Sequence, residues 1–163
     1  MRCIGADQSS NPPATTDHSK QWMKMLGHPP RMLIVEDNLG ILTSLTEWFE
    51  GEGWEVTGVI DGTAFFAAVE ATIEDSEYAL EYDCIITDIS MSGIDVLAIL
   101  EAMRVTDCQI PVAVISGLSD PMLPRQIEQL GMARFLRKPF RIANLNQEVC
   151  RLMRCALDDR TIG

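Results

Sequence analysis

Tyr82-Asp83-Cys84-Ile85-Ile86-Thr87-Asp88-Ile89 is the stretch on which the reading of this chain turns. β-favouring residues carry the backbone to the Asp88 carboxylate, and Ser90, Ser92 and Gly93 then turn it towards a helix. A buried strand that ends in Asp presents its carboxylate at the carboxyl edge of a parallel sheet, where open α/β folds place their ligands.

The same rhythm recurs on both sides of that stretch. Met32-Leu33-Ile34-Val35 is an apolar run suited to burial on both sheet faces, and it ends in Glu36-Asp37. Ile41, Leu42, Leu45, Trp48 and Phe49 follow at helical spacing, with Gly51 and Gly53 as the stop. Trp54 to Val59 alternates like an edge strand, and a second helix carries Phe65, Phe66 and Val69. After Asp88, the residues Ile94, Leu97, Leu100 and Met103 mark a third helix face. Ile110 to Ile115 is a fourth strand ending in Ser116-Gly117. Asp120 is placed to cap a short helix bearing Leu123, Ile127 and Leu130, stopped by Gly131. Ala133 to Arg137 is a fifth strand leading to Lys138-Pro139, and the last helix turns Ile142, Leu145, Val149, Leu152 and Ala156 inward. Five strands alternating with five helices predict a doubly wound α/β domain with a parallel sheet.

Composition bounds the rest. With 163 residues, 47% hydrophobic and 23% charged, the chain supports one globular domain and is too short for two ordinary ones. Residues 1–31, rich in Ser, Pro and Thr, read as a disordered extension in which Gln21 to Leu26 could make a helical turn; residues 158–163 read as a polar tail. No apolar run nears the about 20 residues a membrane span requires, and the N-terminus has no apolar secretory core. Five cysteines without metal-ligand spacing fit reduced thiols in a cytoplasmic protein. The net charge of −11 argues against direct contact with nucleic acid. From Met32 to Met103 there are sixteen carboxylates and no Lys or Arg, so this half attracts a divalent metal or a basic partner.

The residues at the strand ends carry the chemistry. Glu36, Asp37 and Asp88 repel one another at close quarters unless a divalent cation neutralises them. Oxygen donors without His or Cys favour Mg²⁺ (or Mn²⁺) over zinc. Such an ion, the Ser116 hydroxyl and the Lys138 ammonium around one carboxylate are the parts that hold a phosphoryl group under in-line attack.

In these pieces, Val35-Glu36-Asp37-Asn38, Thr87-Asp88-Ile89-Ser90-Met91, Val114-Ile115-Ser116-Gly117 and Phe135-Leu136-Arg137-Lys138-Pro139-Phe140, the chain resembles the receiver domains of two-component response regulators. The resemblance covers residues 32–157 and implies a flavodoxin-like (βα)5 sandwich, its five-stranded parallel sheet in the order 2-1-3-4-5. It implies that Asp88 accepts a phosphoryl group from a phosphohistidine on a histidine kinase or a phosphotransfer protein. It further implies that Asp37, Asp88 and the Ser90 backbone carbonyl bind Mg²⁺ directly, and that Glu36 does so through a water. Lys138 and Ser116 would meet the phosphoryl oxygens. Ser116 and Phe135 would form the switch, the ring turning inward as the hydroxyl moves. A cis peptide before Pro139 belongs to the same pattern.

The chain departs from the family at Ser92, where proline is usual, at Val96, where glycine is common, and in an acidic connector over Glu74 to Glu81 that makes the Asp37-to-Asp88 spacing longer. The expected function is a stand-alone phosphorelay receiver, monomeric or dimerising on phosphorylation, with no DNA-binding output domain. It is no enzyme beyond its own phosphorylation and dephosphorylation, and its downstream partner would meet the surface of the fourth helix, fifth strand and fifth helix, with Arg134, Arg137, Lys138, Arg141, Arg151 and Arg154 suiting an acidic one. Two other classes stay open: a degenerate receiver that binds partners unphosphorylated, and a Mg²⁺-dependent aspartyl phosphatase, weakened by the lack of an acid two residues after Asp88.

Overall fold

The computed structural model describes residues 18–74, 81–91, 93 and 95–162. β1 (Arg31–Val35), β2 (Glu55–Val59), β3 (Cys84–Asp88), β4 (Val112–Ser116) and β5 (Ala133–Arg137) form one parallel sheet in the order β2-β1-β3-β4-β5. That is the flavodoxin-like order expected from the sequence. All five residues of β3 and β4 are buried, whereas β2 and β5 are partly exposed, so burial alone distinguishes centre from edge.

Alternation along the strands divides the core in two. On one side Leu33, Val35, Ile85, Val112 and Val114 meet α3 (Gly62–Glu74), α4 (Val96–Val105) and α5 (Leu123–Gln129). On the other, Met32, Ile34, Cys84, Ile86, Ala113 and Ile115 meet α2 (Leu39–Gly51), α6 (Ile142–Ile162) and Trp22 of α1 (His18–Leu26). The Asn38 side chain accepts the Ile41 N–H and starts α2, while Gly53 at φ 86° supplies the left-handed turn into β2. Asp83, at the start of β3, accepts the Arg31 N–H at 2.9 Å and ties the lower ends of β1 and β3 together.

Several expectations are corrected. Residues 18–31 are not a tail: α1 is a nine-residue helix that includes the turn expected over Gln21 to Leu26, and Trp22 is 1% exposed within the core. Residues 1–17 lie outside the described residues. At the other end α6 runs through Ile162, so residues 158–162 continue a helix and are no tail. Phe66 faces solvent, because only one of two adjacent aromatics on a helix can join the stripe that Phe65 and Val69 bury. In α4 the buried face is Val96, Ile99, Leu100 and Met103; Leu97 is only partly buried, and Ile94 lies outside the described residues. Asp120 accepts the Met122 N–H but stands two residues before Met122, the N-cap of α5, whose first turn instead contains Pro124. The connector falls largely on residues 75–80, outside those described.

Arg104 contributes a contact that charge counting hides. Its guanidinium donates to the carbonyls of Cys108, Ile110, Gly131 and Met132, joining the end of α4 to the approaches of β4 and β5. Burial lowers its pKa, yet it offers a planar fork to four acceptors at once. Arg104→Met is expected to cost about 2 kcal/mol, read from urea unfolding, and Arg104→Lys to recover little of it, because an ammonium cannot serve that fork.

Candidate functional site

β1 and β3 are neighbours at the point where the strand order reverses, so their carboxyl ends flank the natural crevice of the sheet. Glu36 follows β1 and is 0% exposed; Asp88 closes β3 at 4%. Asp37, one residue further, is exposed. One oxygen from each of the three carboxylates can be chosen so that all lie within 4.8 Å of one another. Such a group of hard anionic oxygens fits a small divalent cation.

Lys138 stands against this acidic cluster. Its Nζ donates to Asp88 Oδ2 at 2.7 Å and to Glu36 Oε2 at 2.8 Å. Its backbone N–H donates to the Ser116 carbonyl at 2.8 Å, which joins the ends of β4 and β5. The Lys138-Pro139 peptide is cis, as the resemblance implied. A recess beside the lysine is lined by Ile41, Pro139 and Phe140.

Burial pushes the Glu36 carboxyl above its ordinary range; the Lys138 hydrogen bond and the Asn38 N–H oppose that without cancelling it. For Lys138, burial acts to lower the pKa. Hydrogen bonds to Asp88 and Glu36, with their charges, outweigh it and leave the ammonium raised, hence fully charged at neutral pH.

Ser116 is buried, and its Oγ accepts the Leu118 N–H at 3.0 Å. It also lies 3.1 Å from Ser90 Oγ, whose own backbone N–H donates to Asp88 Oδ1 at 2.7 Å. The site therefore unites Glu36, Asp37, Asp88, Ser90, Ser116 and Lys138, every polar residue predicted for it. Phe135 sits apart, half-buried against the α3–α5 side of the core, with the Arg137 guanidinium 5.8 Å from its ring centre. Arg137 also donates to the Leu118 carbonyl, so it links the ring to the loop after Ser116.

Sequence reasoning missed the Ser90 side chain, having used only its carbonyl; a second hydroxyl two residues past Asp88 was the available clue. Of the departures, Val96 is buried at the start of α4 in the same core cluster as Met91, and Ser92 lies outside the described residues. Cys84, Cys108, Cys150 and Cys155 are free thiols, and burial pushes Cys84 far above the range in which it would act as a nucleophile.

An open α/β sheet with an acidic crevice and a lysine at its carboxyl edge defines a class that the comparisons specify. Residues 32–150 match the response regulator receiver domain, and the chain belongs to that family. It is 31% identical over 125 residues to the transcriptional regulatory protein PrrA of Mycobacterium tuberculosis, covering 77% of this chain and 50% of that protein. It is 27% identical over 118 residues to the transcriptional regulatory protein FixJ of Bradyrhizobium diazoefficiens, covering 72% and 52%. The chain thus spans about half the length of these relatives. The receiver domain of the Francisella response regulator 1452 superposes with a TM-score of 0.67 at 24% identity, covering 78% of this chain and 98% of that one, which bears on the fold alone. Receiver domains interact with histidine kinases or phosphotransfer proteins. Among the described residues no helix is long and apolar enough to cross a membrane.

Proposed function

We propose that Asp88 is the phosphoryl acceptor of a two-component relay, taking the group from a phosphohistidine on a kinase or phosphotransfer protein. The observation that carries this reading is the single Lys138 Nζ bonded to both Asp88 and Glu36, with an Asp37 oxygen within 4.8 Å of an oxygen of each of those carboxylates. As a carboxylate oxygen of Asp88 forms its bond to phosphorus, the P–N bond of the donor breaks and the imidazole nitrogen keeps the electron pair. Glu36, Asp37, Asp88 and the Ser90 carbonyl would hold Mg²⁺, which when bound offsets charge on the phosphoryl oxygens. Lys138 pairs with one of those oxygens, and the Ser116 hydroxyl donates to another. Hydrolysis of the acyl phosphate returns Asp88 to the carboxylate. Beyond that cycle the protein is no enzyme, and its output is an altered contact with a protein, or onward transfer to a histidine, in a cytoplasmic setting that suits its free thiols. The Phe135 surface on β5, between α5 and α6, is where that contact would change.

Incubation with Mg²⁺ and a small acyl phosphate is expected to add one phosphoryl group by intact mass, lost in Asp88→Asn and in chelator. Wild type that remains unmodified would support the unphosphorylated interaction module instead. Turnover of unrelated phosphate esters would point to a phosphatase.

A further inference from the structure

Ser90 touches the site twice, and only one of those contacts belongs to its backbone. The N–H steadies Asp88 Oδ1, and the side-chain oxygen lies 3.1 Å from that of Ser116. A serine hydroxyl has one proton to give and two lone pairs to offer. Ser116 is 0% exposed, with one lone pair on the Leu118 N–H, so Ser90 Oγ is the acceptor in place for its proton. Ser90 is exposed and can give its own proton to water. The polarity that satisfies both groups is therefore Ser116 donating to Ser90.

We propose that the Ser90 hydroxyl is a positioning group that holds the Ser116 O–H away from the phosphoryl site, and that this bond must break or reverse before Ser116 can serve a phosphoryl oxygen on Asp88. The proposal rests on the phosphoacceptor reading above. It makes Ser90 a restraint on phosphorylation: the unphosphorylated state keeps a hydrogen bond that the phosphorylated one exchanges. With the Ser90 oxygen removed, the buried Ser116 proton finds its acceptor only when the phosphoryl group arrives. The backbone N–H to Asp88 and the Ser90 carbonyl are untouched by that change.

The test is a double-mutant cycle in the full chain, measuring the rate of Asp88 phosphorylation by a small acyl phosphate with saturating Mg²⁺. Ser90→Ala is expected to raise the rate by about three- to tenfold, the worth of one neutral hydrogen bond, and Ser90→Thr to restore the original rate. In the Ser116→Ala background, itself slower, Ser90→Ala is expected to change nothing. Urea unfolding of each variant confirms that the compared proteins are folded. An equal acceleration in both backgrounds would overturn the proposal, showing that Ser90 acts on Asp88 or on water directly. So would an unchanged or lower rate in Ser90→Ala alone. If the wild type takes up no phosphate, the phosphoacceptor reading itself fails and this proposal with it, an outcome distinct from the other two.

Discussion

Lys138→Ala is expected to lower the unfolding free energy by about 3 kcal/mol in metal-free buffer at pH 7, measured by urea unfolding. The lysine is the cation bonded to two buried carboxylates, and breaking a buried pair leaves an uncompensated charge that costs about 3–5 kcal/mol. The lower end applies, because the side chain of Lys138 is 21% exposed and Glu36 can take up a proton. A raised ammonium contributes stability that is fully present below its unfolded pKa and lost only as the pH rises through the folded one. The ordinary lysine value is 10.5 and the shift is upward, so measurement at pH 7 sees the whole contribution. The variant has the opposite dependence. With its partner gone, the folded Glu36 carboxyl lies further above the unfolded value, so the native state binds the extra proton and the penalty shrinks as the pH falls towards 4.5. Millimolar Mg²⁺ should narrow the gap to wild type, since an ion in the acidic cluster replaces the missing charge. A deficit indifferent to both pH and Mg²⁺ would mean that the lysine acts through packing alone.

Trp22→Ala is the second large expectation, a loss of about 3–5 kcal/mol. The indole is 1% exposed and shares a core with Phe49, Trp54, Val149 and Met153, so its removal opens a cavity in the core that α1, α2, α6 and the turn before β2 share. Among the described residues its Nε1 has no hydrogen-bond partner, which offsets part of what burial contributes and favours the lower end of that range. Met25→Ala, at a half-exposed position three residues on, should change stability by less than about 0.5 kcal/mol. If the two substitutions match, α1 does not stabilise the domain, and Trp22 contributes no more than a surface side chain.

These two residues mark how far the sequence could be read. Lys138 was legible because a strand that ends in a charged or hydroxyl group is rare enough to count. Four such ends in chain order, after β1, β3, β4 and β5, bring Glu36, Asp37, Asp88, Ser116 and Lys138 to one edge of the sheet. Trp22 was not. Nine helical residues that turn only Trp22 and, one turn on, Leu26 to the core give too short a period to detect, and Gly27 and the two prolines that follow mimic a linker. The phase of α4 failed for the opposite reason: Val96, Leu97, Ala98, Ile99 and Leu100 are all apolar, so every phase looks amphipathic, and the sheet decides which residues are buried. Ser90 escaped notice because its contact is side chain to side chain across 26 residues, and hydroxyl pairing leaves no trace in local pattern.

The division of the core into two faces has an optical consequence. Trp22, Trp48 and Trp54, all the tryptophans of the chain, pack on the α2–α6 side of the sheet, while Phe135 packs on the other. Intrinsic fluorescence therefore surveys one side of the molecule and is blind, in the first instance, to the aromatic that would report activation. An emission change on phosphorylation would have to be relayed through the strands, so its size would gauge how stiffly the sheet couples its two faces.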